Sequence, residues 1–165
     1  VADMGSTSGQ QWVVSTAVAA DHAEWARLYR AYGAVAGRDL SEQHLARVWS
    51  WVQDPAGQTR CLLLRPGPGR TAVGLAHHRR FERPLAGDHG CYLDDLFVDP
   101  AHRGRGGARA LLEHLRALAA REGWSTVRWT TKPTNPAQRL YDQLAERAAV
   151  VTYDMAPDRP ARPGR

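Results

Sequence analysis

The sequence predicts a mixed α/β fold, a mixed sheet with helices packed on it, and three observations lead there. In the second half, strand-like apolar runs alternate with stretches of helical period. In the middle, two strand-like runs flank the turn Pro66-Gly67-Pro68-Gly69, and no internal repeat or interior linker makes room for a second domain. The expected order is β-α-α-β-β-β-α-β-α-β. A chain of 165 residues is long enough to bury a core, and its apolar fraction of 43% argues against wholesale disorder.

Residues 11–18 read as the first strand. Asp21-His22-Ala23-Glu24 has the form of a capping box, and Trp25, Leu28, Tyr29, Tyr32 and Val35 follow at helical spacing until Gly37. Ser41 is placed to cap a second helix with Leu45, Val48, Trp49 and Val52 on its inner face, stopped before Pro55. Residues 59–64 and 71–81 read as a hairpin, 82–90 as a polar connection, and 91–98 as a strand ended by Pro100. From Gly104 a helix puts Ala108, Leu111, Leu112, Leu115, Leu118 and Ala119 on one stripe and ends at Gly123. Residues 125–131 read as a strand. Asn135-Pro136 opens a last helix with Ala137, Leu140, Tyr141 and Leu144 inward, and residues 150–155 close as a strand.

Residues 1–10 are small and polar and are expected to be a disordered or processed end. Residues 11–155 are expected to form one domain, and 156–165, a mixture of Pro, Arg and Gly, a flexible tail. The formal charge of +5 suits an anionic partner, although the basic residues are scattered and not gathered in one run. No helix-turn-helix or aromatic-basic platform is present, so nucleic acid is not expected as a partner. Cys61 and Cys91 lack metal or redox spacing and read as buried free thiols of a reducing compartment. No stretch approaches the roughly 18 apolar residues of a membrane span, and no signal-peptide pattern is present. No membrane association is expected, and the expected location is cytoplasmic.

The chemistry concentrates where strand 91–98 runs into Arg103-Gly104-Arg105-Gly106-Gly107-Ala108. The glycines let the backbone turn sharply and approach a ligand, and the free N–H groups of the following helix favour a phosphate or pyrophosphate. Arg103 and Arg105 add mobile positive charge on the rim. The same residues also suit a plain glycine-rich connection. A Walker loop is excluded by the missing Lys-Ser/Thr pair, and a dinucleotide fingerprint by Arg109 where its third glycine belongs.

Asp94 and Asp95 are neighbours in a strand and are expected to point to opposite faces. One is then free to face a cleft and accept the proton of a substrate ammonium, while either also fits a structural role. Tyr141 lies on the apolar stripe of its helix, as a core tyrosine would; a hydroxyl that reaches a cleft can also protonate a departing thiolate. His77 and His78 alternate across the sheet and cannot share one ion, so no metal is expected. No Gly-x-Ser-x-Gly elbow is present.

Arg103-x-x-Gly106-x-Ala108 fits the pyrophosphate signature R/Q-x-x-G-x-G/A of the GNAT superfamily of N-acetyltransferases. The strand Tyr92-Leu93-Asp94-Asp95-Leu96-Phe97-Val98 precedes it at the expected distance. Asn135-Pro136-Ala137-Gln138-Arg139-Leu140-Tyr141-Asp142 follows, like the family's N-x-x-A-x-x-x-Y segment. The chain resembles that superfamily most clearly over residues 91–153. Its Y-L-x-D-L-F-V form is closest to the branch with fungal histone and D-amino-acid acetyltransferases and bacterial relatives. Two departures stand out. Asp94 is one methylene shorter than the glutamate of the similar diamine enzymes, and Ala145-Glu146-Arg147-Ala148 stands where the family has a glycine.

The resemblance implies an acyl-CoA N-acyltransferase fold whose splayed central sheet admits acetyl-CoA, released as CoA. The pantetheine arm would pair with the backbone of Leu96, Phe97 and Val98, and the pyrophosphate would lie on Arg103, Gly104, Arg105, Gly106, Gly107 and Ala108. Asn135 would hold the arm, with Ala137 and Tyr141 beside the cofactor. Tyr141 would be the general acid, Asp94 the first candidate for the base and Asp95 the reserve. Tyr29 and Tyr32, with Trp25, Trp49 and Trp51, fall where relatives build the acceptor wall, although their spacing equally suits core packing. Tyr29, Tyr32 and Asp94 would contact the acceptor. The implied reaction is acetyl transfer to a primary amine of a small molecule, namely an amino acid, a polyamine or an amine antibiotic. An acyl-CoA-binding module without turnover, or a protein lysine or N-terminal acetyltransferase, is the alternative. A homodimer is expected, as in many relatives.

Overall fold

The computed structural model describes residues 11–157. The expected end segment 1–10, and the expected tail from residue 158 onward, lie outside the described residues. The chain divides into two compact units, the first ending at Thr130 and the second starting at Thr131. Among the described residues no helix is long and apolar enough to cross a membrane.

The first unit is a five-stranded sheet in the order β1-β2-β3-β4-β5. Its strands are β1 (Val13–Thr16), β2 (Thr59–Arg65), β3 (Gly74–Arg83), β4 (Asp88–Val98) and β5 (Val127–Arg128). Neighbours are antiparallel except β4 and β5, which are parallel. Helices α1 (His22–Val35) and α2 (Glu42–Gln53) bury Trp25, Leu28, Leu45 and Val48 against Cys61, Leu63, Leu75 and Phe97 of the sheet. Strand alternation turns Leu62, Leu64, Ala76 and His78 to the opposite face. There α3 (Gly107–Arg121) packs, starting against Leu64. The mixed α/β fold expected from the sequence is the one observed.

Local signals fared unequally. Ser41 Oγ accepts from the His44 N–H at 3.2 Å and caps α2 as expected. The capping box at Asp21 and Glu24 does not form. Asp21 accepts from the Val18 N–H, Glu24 from the Ala72 N–H, and both carboxylates pair with Arg65. A guanidinium whose side chain is only 15% exposed needs charged partners more than a helix start needs its cap.

The strand expected over residues 125–131 shrinks to the two residues of β5, which pair with Cys91 and Tyr92 alone. From Leu93 to Val98 the edge of β4 that faces away from β3 therefore has no strand neighbour among the described residues. This is the splay.

The second unit contains α4 (Gln138–Leu144). Asn135 Oδ1 accepts from the Ala137 N–H at 3.0 Å, so Asn135 caps the entry as expected, with the regular helix following at Gln138. The strand expected at residues 150–155 is a correction: no strand forms there, and Val150, Val151, Tyr153 and Met155 are 75–95% exposed. A β-prone run becomes a strand only when a neighbour satisfies its backbone.

Candidate active site

β3 and β4 pair in register except at one point. Asp95 lies opposite His77 and Leu93 opposite His78, which leaves Asp94 as the extra residue of a bulge. Asp95 Oδ2 is 2.9 Å from His77 Nδ1, and the Asp94 oxygens are 3.2 and 3.3 Å from Arg79 Nε. His77 and Arg79 are two residues apart on β3 and share a face. Both carboxylates therefore reach the α1–α2 side, which corrects the expectation that they split across the sheet. Burial pushes the Asp94 carboxyl above its ordinary range, against the pull of Arg79 and with the charge of Asp95 adding to the rise.

Aromatic rings stand beside these carboxylates. Tyr29 meets His77 edge-on at 4.8 Å and stacks on Tyr32 at 6.1 Å, and Tyr32 lies 6.0 Å from Phe97. Burial, followed by the charge of Asp95, pushes the Tyr29 phenol up to about 12. Trp25 is fully buried with Trp49 packed on it, which is the core reading; Trp51 is exposed. Sequence reasoning missed His77, whose Nε2 accepts from Trp25 Nε1 at 2.8 Å. Only the strand register could have placed it opposite Asp95.

At the far end of β4 the chain turns on Asp99, whose Oδ1 accepts from the Ala101 N–H at 3.0 Å. Arg103 Nε donates to the Val98 carbonyl at 2.9 Å and its guanidinium lies 5.8 Å from the Phe97 ring centre, so this side chain is tethered, not mobile. Gly104 and Gly106 have φ of 73° and 85°, a region that other residues rarely adopt. Gly107 is needed for a different reason: a Cβ there would stand 2.7 Å from Leu64 Cδ2. Trp12 Nε1 donates to the Arg105 carbonyl at 2.8 Å and holds the loop from the β1 side, a contact with no signal in the sequence.

The loop is left rich in donors. The first N–H groups of α3 have no intrahelical acceptor. Beside them an open cavity of about 440 Å³ is lined by Pro66, Gly67, Pro68, Arg70, His102 and Arg105. His102 Nδ1 is buried without a hydrogen-bond partner among the described residues. Orphan amides, two arginines and an unpartnered ring nitrogen fit an anionic group. Between the loop and the bulge, the Asp99 N–H bonds to the carbonyl of Val73, the residue before β3, so alternation turns the N–H groups of Val98 and Leu96 to the open edge. The Phe97 side chain instead enters the core, and the Val98 carbonyl is already taken by Arg103.

In the second unit, Tyr141 is half-buried on α4, and burial pushes its phenol above the ordinary value. Asn135 Nδ2 donates to Thr131 Oγ1 at 2.7 Å, and Ala137 receives the cap of Asn135.

Solved structures share the fold, three of them as follows. A ribosomal-protein-alanine N-acetyltransferase from Brucella melitensis biovar Abortus 2308 is 23% identical with a TM-score of 0.73, over 88% of this chain and 99% of that one. An aminoglycoside acetyltransferase from an uncultured soil metagenomic sample is 22% identical with a TM-score of 0.73, over 90% and 99%. A probable acetyltransferase gives a TM-score of 0.79 at 16% identity, over 90% and 99%. No curated protein matches the chain. The model of the acetyltransferase (GNAT) family matches residues 16–145, and the chain is an acyl-transferring enzyme that belongs to that family.

Proposed function

We propose that this enzyme transfers the acetyl group of acetyl-CoA to a primary amine of a small molecule, by direct attack in a ternary complex. One observation carries the reading: the unpaired edge of β4 runs from two carboxylates at the bulge to a donor-rich loop at Val98 and beyond. The edge offers N–H groups at Leu96 and Val98 to an extended arm, as to an added strand. The loop from Arg103 to Ala108 offers amides and positive charge to a pyrophosphate. Asn135 and Ala137, in the second unit, are the further cofactor contacts that the family resemblance implies.

Acetyl-CoA supplies an acyl thioester, whose C–S bond breaks as the C–N bond to the amine forms. The chain's own residues manage the protons. The bulge presents Asp94 and Asp95 to the amine, and its proton passes to a carboxylate there, directly or through water. Tyr141 Oη gives its proton to the leaving sulfur; a phenol held above its ordinary value by burial stays protonated through neutral pH. Tyr29 and Tyr32 wall the acceptor side, and two carboxylates among aromatic rings suit a cationic amine before it loses its proton. The solved neighbours named for aminoglycoside and ribosomal-protein alanine acceptors mark the range of amines to try.

The test is release of free CoA thiol over a panel of amino acids of both hands, polyamines, aminoglycosides and peptides with lysine or N-terminal amines. Acetyl-CoA binding is measured alongside by calorimetry. Amine-dependent release with at least one small amine is expected, and binding without release from any acceptor overturns the reading in favour of an acyl-CoA sensor. Release with peptides alone moves the acceptor to proteins. Tyr141→Phe is expected to lower kcat about 100-fold while keeping acetyl-CoA affinity.

A further inference from the structure

A polar chain runs from the α1–α2 core to the bulge through Trp25, His77 and Asp95. An indole N–H can only donate, so His77 Nε2, 2.8 Å from Trp25 Nε1, must accept. The neutral ring then carries its proton on Nδ1, 2.9 Å from Asp95 Oδ2. Trp25 is 0% and His77 2% exposed, so water does not compete for the bond between them, and the donor of the second bond is buried as well. This arrangement leaves Asp95 Oδ1 without a protein partner among the described residues. Asp94 is placed differently. Both its oxygens lie within hydrogen-bonding or ion-pair reach of Arg79 Nε, in a pair whose side chains are 36% and 37% exposed.

We propose that Asp95 is the carboxylate that takes the acceptor amine's proton and that His77 is its positioning residue, held in the Nδ1–H tautomer by Trp25. The assignment rests on the acetyl-transfer reading of this same site. The amine attacks in its neutral form, having lost its first proton to solvent; as the C–N bond forms and the C–S bond breaks, the nitrogen becomes cationic and its proton moves to Asp95 Oδ1. The electron pair of the C–S bond leaves with sulfur, which takes the Tyr141 proton. His77 keeps its own proton and its bond to Oδ2 throughout. A carboxylate held by one oxygen against a buried donor presents its other oxygen in a fixed plane, and orientation of this kind is worth about 100-fold when lost. Tyr29 on α1 and Arg79 on β3 also face the carboxylate pair.

Two measurements test this. Long-range nitrogen–proton NMR on histidine-labelled wild-type protein at about pH 7 reads the tautomer, with the His77 signals identified by their loss in His77→Asn. A protonated Nδ1 with an unprotonated Nε2 is expected; the reverse tautomer, or a doubly protonated ring, overturns the chain of bonds whatever the activity. Kinetics then read the role. His77→Leu is expected to lower kcat roughly 10- to 100-fold with KM for acetyl-CoA unchanged. His77→Asn, whose amide still donates towards Asp95, is expected to recover most of the rate at a comparable melting temperature. Should His77→Leu fail to fold, His77→Asn against wild type and the tautomer carry the test, and an Asn variant as inactive as Asp95→Asn overturns the proposal. A wild type that turns over, with a Leu variant equally fast, overturns the positioning role and leaves acetyl transfer standing. A wild type that releases no thiol from any amine sinks both.

Discussion

His77 and His78 are adjacent in sequence and sit in opposite chemical worlds. His77 faces α1 and α2, where it bridges a buried indole and a carboxylate that reaches the surface of the bulge. His78 faces α3, where its ring is 4% exposed and its Nδ1 has the Cys91 sulfur at 3.9 Å. Burial, with the charge of Arg60 adding to it, holds His78 down to about 4, and burial pushes the Cys91 thiol up to about 11. One face of the sheet collects two carboxylates and a ring bonded to one of them; the other keeps its polar groups neutral. The pleat of one strand separates them.

The comparison is broken or sharpened most strongly by Asp95→Asn. Removing the base proposed on the α1–α2 face should cost at least about 100-fold in kcat, with acetyl-CoA affinity retained, as read by thiol release and calorimetry. The α3 face responds instead through stability. Between about 4 and 6.5 the unfolded chain binds a proton at residue 78 that the folded protein refuses, so stability rises with pH across that window and is lost as pH falls. The loss is on the order of 3 kcal/mol in urea unfolding, and His78→Phe should flatten this acid slope without removing turnover. Gly107→Val should cost about 2 kcal/mol and lower the melting temperature, because Leu64 is fully buried and has no room to yield. Ser41→Ala, which loses one cap on α2, should cost about 1 kcal/mol by the same measurement.

What the sequence made legible follows the same division. The apolar stripe of α3, the buried thiols, the glycine turn after β4 and the opposed histidines are all local patterns, and the structure bears them out. The expectations that failed depend on partners distant in sequence. Asp94 and Asp95 share a face because one residue is inserted against β3, and a bulge is a property of two strands together. Asp21 and Glu24 leave their capping box because Arg65 arrives from β2. Residues 150–155 have the composition of a strand, yet no pairing partner for them occurs among the described residues. Trp25 read as core packing or acceptor wall; its packing was legible, its hydrogen bond to His77 was not.

The central claim is that proton transfer belongs to the α1–α2 face at the bulge. Amine-dependent thiol release, measured side by side for wild type, Asp95→Asn and His78→Phe at one saturating acetyl-CoA concentration, tests it most directly. The account predicts turnover by wild type and His78→Phe and a loss of about 100-fold or more in Asp95→Asn. Equal rates for wild type and Asp95→Asn, with His78→Phe inactive yet folded, would contradict it.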